Sequence, residues 1–159
     1  MRPSDGPLRR ARVLQGQKGP EETVAVIAVD TNVLVRLLVR DEPVQSALAK
    51  ALFADGPVWL SATVLLETAW VLRKGFRLAW PEIVDALRRA CALENVVVED
   101  EHRFHDALVW AENGLDFADA FHLARAQDAE SFYTFDRAFA RRSRGLGVVP
   151  VRIVAPSGN

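Results

Sequence analysis

Short apolar segments alternate with helical patterns along the chain from Val24 onward, and this alternation constrains the fold more than any other feature. The segment VAVIAV is a β-branched apolar run, typical of a central strand that is buried on both faces. PVWLS, VVVE, SFYTF and VVPVRIV supply four more candidate strands. Strands separated by helices predict an α/β fold, in which a central parallel sheet of about five strands is flanked by helices.

The predicted helices lie between these strands. TNVLVRLLV and PVQSALAKALF are separated by a charged turn, and the next helix begins at Ser61 or Ala62 and stops at Gly75. Pro81 opens a helix that runs to about Leu93. HRFHDALVWAEN, FADAFHLARAQD and the short basic segment RAFARRSR complete the set.

The chain has 159 residues, half of them apolar, which is enough for one domain with a hydrophobic core. We expect this domain to occupy residues 24–156. Residues 1–23 are rich in Gly, Pro and basic residues and show no apolar periodicity, so we expect a flexible N-terminal extension there. An alternative is that Arg9, Arg10 and Arg12 form an RNA-binding arm.

Composition excludes several classes of protein. The sequence contains no apolar run long enough to span a bilayer and no signal-peptide pattern, so we expect a cytoplasmic protein without a membrane partner. The net charge is −1, so any nucleic-acid binding must depend on local charge. The single cysteine, Cys91, cannot form an internal disulfide and is interpreted as a core residue.

Acidic residues occupy positions that the predicted fold brings to one edge of the sheet. Asp30 directly follows VAVIAV and Asp136 directly follows SFYTF, and ligands bind at the carboxyl ends of strands in open α/β sheets. Glu67 lies on a largely apolar helix face, where a buried carboxylate needs a partner or a cation. Asp119 falls in the first turn of the helix that begins at Asp116.

Each acid also has a purely structural interpretation. Asp30 and Asp136 are suited to cap the helices that follow them, and capping is the favoured role of Asp116. Asp119 is a typical first-turn acid, and Glu67 would face solvent if its helix were rotated. Singly, none of these residues indicates function, but their joint placement at one edge favours a shared site.

Clustered carboxylates repel one another, and a divalent cation removes that conflict. An all-oxygen ligand set favours Mg²⁺ or Mn²⁺ over zinc. His102, His105 and His122 do not match a zinc motif and are interpreted as structural or surface residues.

Four segments, VIAVDTNVLVRLL, LLETAWVLR, DFADAFHLARA and FYTFDRAF, are similar in order and spacing to the PIN-domain nucleases. Within that family the sequence resembles the VapC toxins of VapBC toxin–antitoxin pairs, from Val26 to about Pro156. The resemblance implies a three-layer PIN-like fold and catalytic and metal-binding roles for Asp30, Glu67, Asp119 and Asp136. It also implies supporting roles for a second set of residues: Thr31, Asn32, Asp116 and Thr134.

The resemblance implies an Mg²⁺-dependent endoribonuclease in which metal-activated water hydrolyses RNA and leaves 5′-phosphate and 3′-hydroxyl ends. It further implies a cognate antitoxin and a homodimer, whereas the number of metal ions stays open. One alternative is a non-catalytic PIN scaffold that acts as a binding module. A second is an aspartyl-nucleophile phosphatase, but its DxD signature would need an acid at Asn32, and it does not explain Glu67.

Basic and apolar residues are candidates for contact with RNA and protein partners. The candidate RNA-binding residues are Arg137, Arg141, Arg142 and Arg144 after Asp136, and Arg73, Lys74 and Arg77 after Glu67. Alternatively, these cations lie near helix C-termini and interact favourably with the negative ends of the helix dipoles. No aromatic–basic interleaving of the RNA-recognition type is present. The apolar candidates for a dimer surface or an antitoxin groove are Leu34, Leu37, Leu38, Trp70, Trp80 and Trp110, although core packing is favoured for each.

Overall fold

The computed structural model describes residues 25–146 and 149–155 of the chain. Within them, strands and helices follow one another in the predicted order. They are β1 (Ile27–Ala28), α1 (Thr31–Val39), α2 (Pro43–Asp55), β2 (Val58–Leu60), α3 (Ala62–Lys74), α4 (Trp80–Cys91), β3 (Val96–Val98), α5 (Glu101–Glu112), α6 (Phe117–Arg125), β4 (Phe132–Thr134), α7 (Arg137–Arg142) and β5 (Val151–Ile153). The predicted N-terminal extension, residues 1–23, lies outside the described residues.

The chain divides into two compact units, the first ending at Glu101 and the second beginning at His102. The first unit contains a three-stranded parallel sheet in the order β1-β2-β3. β2 is therefore the middle strand, and the interpretation of VAVIAV as a central strand buried on both faces is wrong for this sheet. β1 has two residues and half-buried to exposed side chains, whereas β2 is hydrogen-bonded on both sides and its Val58 and Leu60 are fully buried.

Local sequence signals explain where the helices of the first unit begin and end. Ser61 caps α3, because its side chain accepts a hydrogen bond from the backbone N–H of Val64 at 3.2 Å. α4 has a proline at its start, and Glu82 accepts a hydrogen bond from the N–H of Ala79 at 2.7 Å. These helices bury an apolar core that includes Leu34, Leu65, Leu72, Ile83 and Leu87.

The second unit contains a two-stranded parallel sheet, β4-β5. Phe104 of α5 packs against Phe117 and Phe121 of α6, with ring centroids 6.2 and 5.6 Å apart. Phe132 of β4 packs edge-on against Phe139 of α7 at 5.6 Å. Together the described parts of the two units contain five strands, all paired in parallel and flanked by helices, which confirms the α/β prediction. Backbone hydrogen bonds join three of these strands into one sheet and the other two into a second sheet.

No helix in the described ranges combines the length and the apolar character that crossing a membrane requires.

Candidate active site

Asp30 lies at the carboxyl end of β1, between that strand and α1. Its Oδ1 atom accepts a hydrogen bond from the backbone N–H of Val33 at 3.0 Å, so Asp30 is the N-cap of α1. The side chain is exposed, and its second oxygen has no hydrogen-bond partner in the described part of the chain. The capping role considered from sequence is confirmed, and it leaves one oxygen of Asp30 available to a ligand.

A hydrogen bond links Glu67 to the residue that follows Asp30. Thr31, the first residue of α1, is only 7% exposed, and its hydroxyl donates to Oε2 of Glu67 at 2.5 Å. This bond joins α1 to α3 and fixes one carboxylate oxygen of Glu67. The next residue, Asn32, is exposed and makes no side-chain hydrogen bond within residues 25–146 and 149–155.

The prediction that Glu67 is buried on an apolar helix face is wrong. Glu67 is exposed, because the buried face of α3 is formed by Leu65, Thr68, Ala69 and Leu72 instead. The hydroxyl of Thr31, rather than burial, defines the surroundings of this carboxylate.

Glu99 is an acid of the first unit that the sequence reasoning missed. It follows β3 directly, and its Oε2 accepts a hydrogen bond from the backbone N–H of Ala62 at 2.7 Å. The carboxylate therefore stabilises the N-terminal end of α3, the helix that carries Glu67. Its position at the carboxyl end of the predicted strand VVVE was the signal that could have found it.

In the second unit, Asp116 and Asp136 each cap a helix through one oxygen. Oδ1 of Asp116 accepts from Ala118 N at 2.9 Å, and it is the N-cap of α6 as predicted. Oδ1 of Asp136 accepts from the first turn of α7 at 2.7 and 2.9 Å. Thr134 Oγ1 accepts from the backbone N–H of Asp136 at 3.0 Å, so Thr134 holds the backbone of that acid in place.

Asp119 lies in the first turn of α6, within the electrostatic reach of both capping acids. Its pKa is raised, first by partial burial, and then by the negative charges of Asp116 and Asp136, while His122 opposes the shift. The second unit thus brings three of the predicted acids near one another. Their repulsion is the conflict that a bound cation would relieve.

In each unit, described carboxylates offer oxygen atoms of the kind that a hard divalent cation prefers. Asp30, Asp116 and Asp136 each use one oxygen as a helix cap and keep the other, and no thiolate takes part. Within each unit, the described residues contain no group of three or more His, Cys, Asp or Glu side chains that could hold a metal ion. That Asp30 and Glu67 share one pocket with Asp119 and Asp136 stays a prediction.

The candidate RNA-binding cations are mostly solvent-exposed. Exposed side chains belong to Arg137, Arg141, Arg142, Arg144, Lys74, Arg77 and Arg73. Arg73 also donates to the backbone oxygen of Leu78 at 2.9 Å and lies 5.9 Å from the ring centroid of Trp80. Arg73 therefore has a structural role, and its contact with RNA stays a prediction.

The apolar candidates for partner surfaces divide between the core and the surface. Leu34 and Trp110 are buried, Leu37, Leu38 and Trp80 are half-buried, and Trp70 is 63% exposed. The expectation of core packing is therefore wrong for Trp70, because it lies outside the buried face of α3.

Comparison with known proteins identifies the family. Residues 27–145 match the PIN domain, and the chain belongs to this family, whose members are typically metal-dependent nucleases. Among solved structures, the chain is similar to the VapC20 toxin of Mycobacterium tuberculosis, which cleaves the sarcin–ricin loop. That similarity has 25% identity, covers 80% of this chain and 99% of VapC20, and gives a TM-score of 0.37. No curated protein shows a significant match to the chain.

Proposed function

We propose that this chain is a divalent-metal-dependent endoribonuclease that acts as the toxin of a toxin–antitoxin pair. The observation that carries the proposal is the match to the PIN domain over residues 27–145, which includes all four predicted acids. The four quoted sequence segments that resemble VapC toxins support the finer assignment. Asp30 and Asp136 each lie between the carboxyl end of a parallel strand and the start of a helix, where α/β folds bind ligands.

The proposed ion is Mg²⁺ or Mn²⁺, held by Asp30, Glu67, Asp119 and Asp136. When bound, such an ion lowers the pKa of a coordinated water and neutralises charge on the phosphate, which permits hydrolysis at neutral pH. The expected products are a 5′-phosphate and a 3′-hydroxyl end. Carboxylates alone can supply these ligands, in agreement with the hard-donor preference of both ions.

The residues of the chain contribute orientation and charge. The hydroxyl of Thr31 holds one oxygen of Glu67, so the carboxylate enters the reaction already oriented. The cap contacts of Asp30 and Asp136 fix their side chains against the backbone of α1 and α7. The raised pKa of Asp119 indicates that its ionised form is disfavoured without a neighbouring cation.

A cognate antitoxin and a second copy of the chain are the proposed protein partners. Exposed apolar side chains of the first unit support such contacts: Val44 and Leu48 on α2 are 69% and 66% exposed, and Trp70 on α3 is 63% exposed. Val44 and Leu48 are four residues apart and therefore lie on one helix face. An amphipathic antitoxin helix would cover apolar groups of this kind.

The decisive experiment compares RNA cleavage by the wild-type chain with that by Asp30→Asn and Asp136→Asn. Purified, antitoxin-free protein is incubated with total RNA in Mg²⁺ and in EDTA. Asn caps helices about as well as Asp, so both variants are expected to keep the wild-type melting temperature while losing cleavage. Metal-dependent fragments that disappear in both variants support the proposal.

Three results distinguish the alternatives. Cleavage at the wild-type rate by Asp30→Asn would refute the site assignment. RNA binding without fragments, in Mg²⁺ as in EDTA, would indicate a non-catalytic scaffold. Release of inorganic phosphate from small phosphate esters would indicate a phosphatase instead.

A further inference from the structure

The helix that carries Glu67 is joined to the three-stranded sheet at its start. Helix α3 begins at Ala62, shortly after β2, and Oε2 of Glu99 accepts a hydrogen bond from the backbone N–H of Ala62 at 2.7 Å. Glu99 itself follows β3, and its own N–H donates to the carbonyl of Leu60, the last residue of β2, at 2.9 Å. The backbone and the side chain of one residue therefore join the turn between β2 and α3 to the end of β3.

The contact made by Glu99 differs from the local cap of α3. The hydroxyl of Ser61 accepts from Val64 N at 3.2 Å within the same turn of helix, so it stabilises the helix without defining its place against the sheet. Glu99 is 37 residues away from Ala62 in sequence and follows the strand that pairs with β2. Its hydrogen bond therefore restricts where α3 begins relative to the sheet.

This restriction adds to what the packing of α3 provides. Leu65, Ala69 and Leu72 are buried, but burial of apolar surface is a non-directional interaction. A hydrogen bond weakens steeply away from its preferred distance and angle, so it opposes sliding of the helix and rotation about its axis. Glu67 is five residues beyond Ala62, or about 7.5 Å along the helix axis. A displacement at the start of α3 therefore reaches Glu67 within the same rigid element.

The carboxylate of Glu67 has to meet two partners at once. Its Oε2 atom accepts from the hydroxyl of Thr31 on α1, and the proposed cation takes the same carboxylate as a ligand. Mg²⁺ demands near-ideal ligand geometry, so a ligand has to be held to within about 0.5 Å. Thr31 orients the carboxylate group, whereas Glu99 restricts the position of the backbone that carries it.

We propose that Glu99 is a positioning residue for the divalent-metal site and that it acts through α3 on Glu67. The proposal rests on the metal-dependent function proposed above and adds to it a residue that does not touch the ion. Glu99 is half-buried, and its role is to hold the start of the helix. Loss of its hydrogen bond should weaken metal binding about 10-fold, the low end of the effect of removing a group that orients a metal ligand.

The test measures Mn²⁺ binding by the full chain, with electron paramagnetic resonance reporting the free ion. Two variants remove the same hydrogen bond from opposite sides. Glu99→Ala removes the acceptor, whereas Ala62→Pro removes the donor and keeps the carboxylate. Proline suits the first residue of a helix, and Ser61 already has the extended backbone that a residue before proline requires. Each variant is expected to weaken Mn²⁺ binding about 10-fold. Glu99→Gln keeps an acceptor oxygen and should retain most of the affinity.

Glu82→Ala is the matched control. Glu82 accepts a hydrogen bond from Ala79 N at the start of α4, also at 2.7 Å. Helix α4 carries none of the proposed ligands, so this variant should lower the free energy of unfolding in urea and keep the wild-type Mn²⁺ affinity. A second control uses Glu67→Ala as the background. Glu99→Ala should cause no further loss of Mn²⁺ affinity there, because the residue through which it acts is absent.

Several outcomes would overturn the proposal. Wild-type Mn²⁺ affinity in folded Glu99→Ala and Ala62→Pro would do so, and if one of these variants fails to fold, the other decides. Equal losses in Glu99→Gln and Glu99→Ala would indicate an effect of charge instead of position. An equal loss in Glu82→Ala, or a further loss in the Glu67→Ala background, would show that the effect does not pass through Glu67.

The assay contains no RNA, so its result is separate from that of the cleavage test. A chain that binds Mn²⁺ without cutting RNA would refute the nuclease and leave the role of Glu99 standing. A wild-type chain that binds no Mn²⁺ would refute the metal site and this proposal with it.

Discussion

Replacing Thr31 with valine tests whether the Thr31–Glu67 hydrogen bond orients the proposed metal ligand. Valine has nearly the shape of threonine and lacks the hydroxyl that donates to Glu67 at 2.5 Å. A hydrogen bond to a charged group contributes about 1.5–3 kcal/mol to stability. Glu67 is exposed, so water replaces the lost donor, and Thr31 is itself only 7% exposed, where a methyl group is well tolerated. We therefore expect the free energy of unfolding to fall by about 1 kcal/mol or less.

The expected effect of Thr31→Val on activity is larger than its effect on stability. Removing a group that orients a metal ligand typically lowers metal affinity or activity about 10- to 100-fold. Urea unfolding gives the change in stability, and cleavage of a labelled RNA over a series of Mg²⁺ concentrations gives kcat and the metal dependence. Thr31→Ser is the matched control, because it keeps the hydroxyl and loses only the methyl group.

The result that would refute this reasoning is a wild-type Mg²⁺ dependence and kcat in Thr31→Val together with normal folding. A loss of equal size in Thr31→Ser would also contradict it, since the effect would then come from packing. A large fall in stability with unchanged activity per folded molecule would show that the bond only joins α1 to α3.

Four further predictions follow from individual side chains. The pKa of Asp119 is raised by burial and then by neighbouring carboxylates, so its ionisation opposes folding. Stability is therefore lost as the pH rises from the pKa of this carboxyl in the unfolded chain toward its higher pKa in the folded protein. Asp119→Asn should therefore raise the metal-free melting temperature at pH 7 by an amount equivalent to a few tenths of a kcal/mol, an advantage that disappears in acid. Glu99→Gln should lower the free energy of unfolding in urea by about 1 kcal/mol, because a neutral amide accepts more weakly from the backbone N–H at the start of α3. The double charge removal Arg141→Gln and Arg142→Gln should weaken RNA affinity and reduce the slope of log K against log salt by about 1.4, measured by anisotropy. Burial raises the pKa of the Cys91 thiol to about 12, with a further contribution from Glu101, so thiol reagents at pH 8 should modify it only after urea unfolding.

Much of the fold could be predicted from sequence because its signals are local. Proline at the start of α2 and α4, Ser61 at the cap of α3 and apolar runs at the strands lie within a few residues of the element they define. The role of β1 was not predictable in this way. Strand order depends on which segments pair, and VAVIAV has the composition of a central strand although only Ile27 and Ala28 pair with β2.

The candidate site was predicted in part, and the errors in that prediction have a common cause. Asp30 and Asp136 could be located because a strand end is visible in the sequence. The exposure of Glu67 and the pairing of Tyr133 with Arg152 could not, since each depends on how an element packs or pairs. Tyr133 and Arg152 lie side by side only because β4 and β5 pair in this register. The two residues are too far apart in sequence for a local pattern to relate them.

The capping and catalytic interpretations of the acids are compatible, because a carboxylate has two oxygens. In Asp30 and Asp136, Oδ1 accepts from backbone N–H groups of a helix terminus, and the other oxygen accepts nothing within the described ranges. The cap removes rotational freedom from the side chain and directs its second oxygen, which lowers the entropic cost of binding a cation. The positive end of the helix dipole also interacts favourably with the negative charge of each capping aspartate. A capped aspartate after a parallel strand is thus a prepared ligand, and substitution by asparagine separates the two roles by keeping the cap and removing the charge.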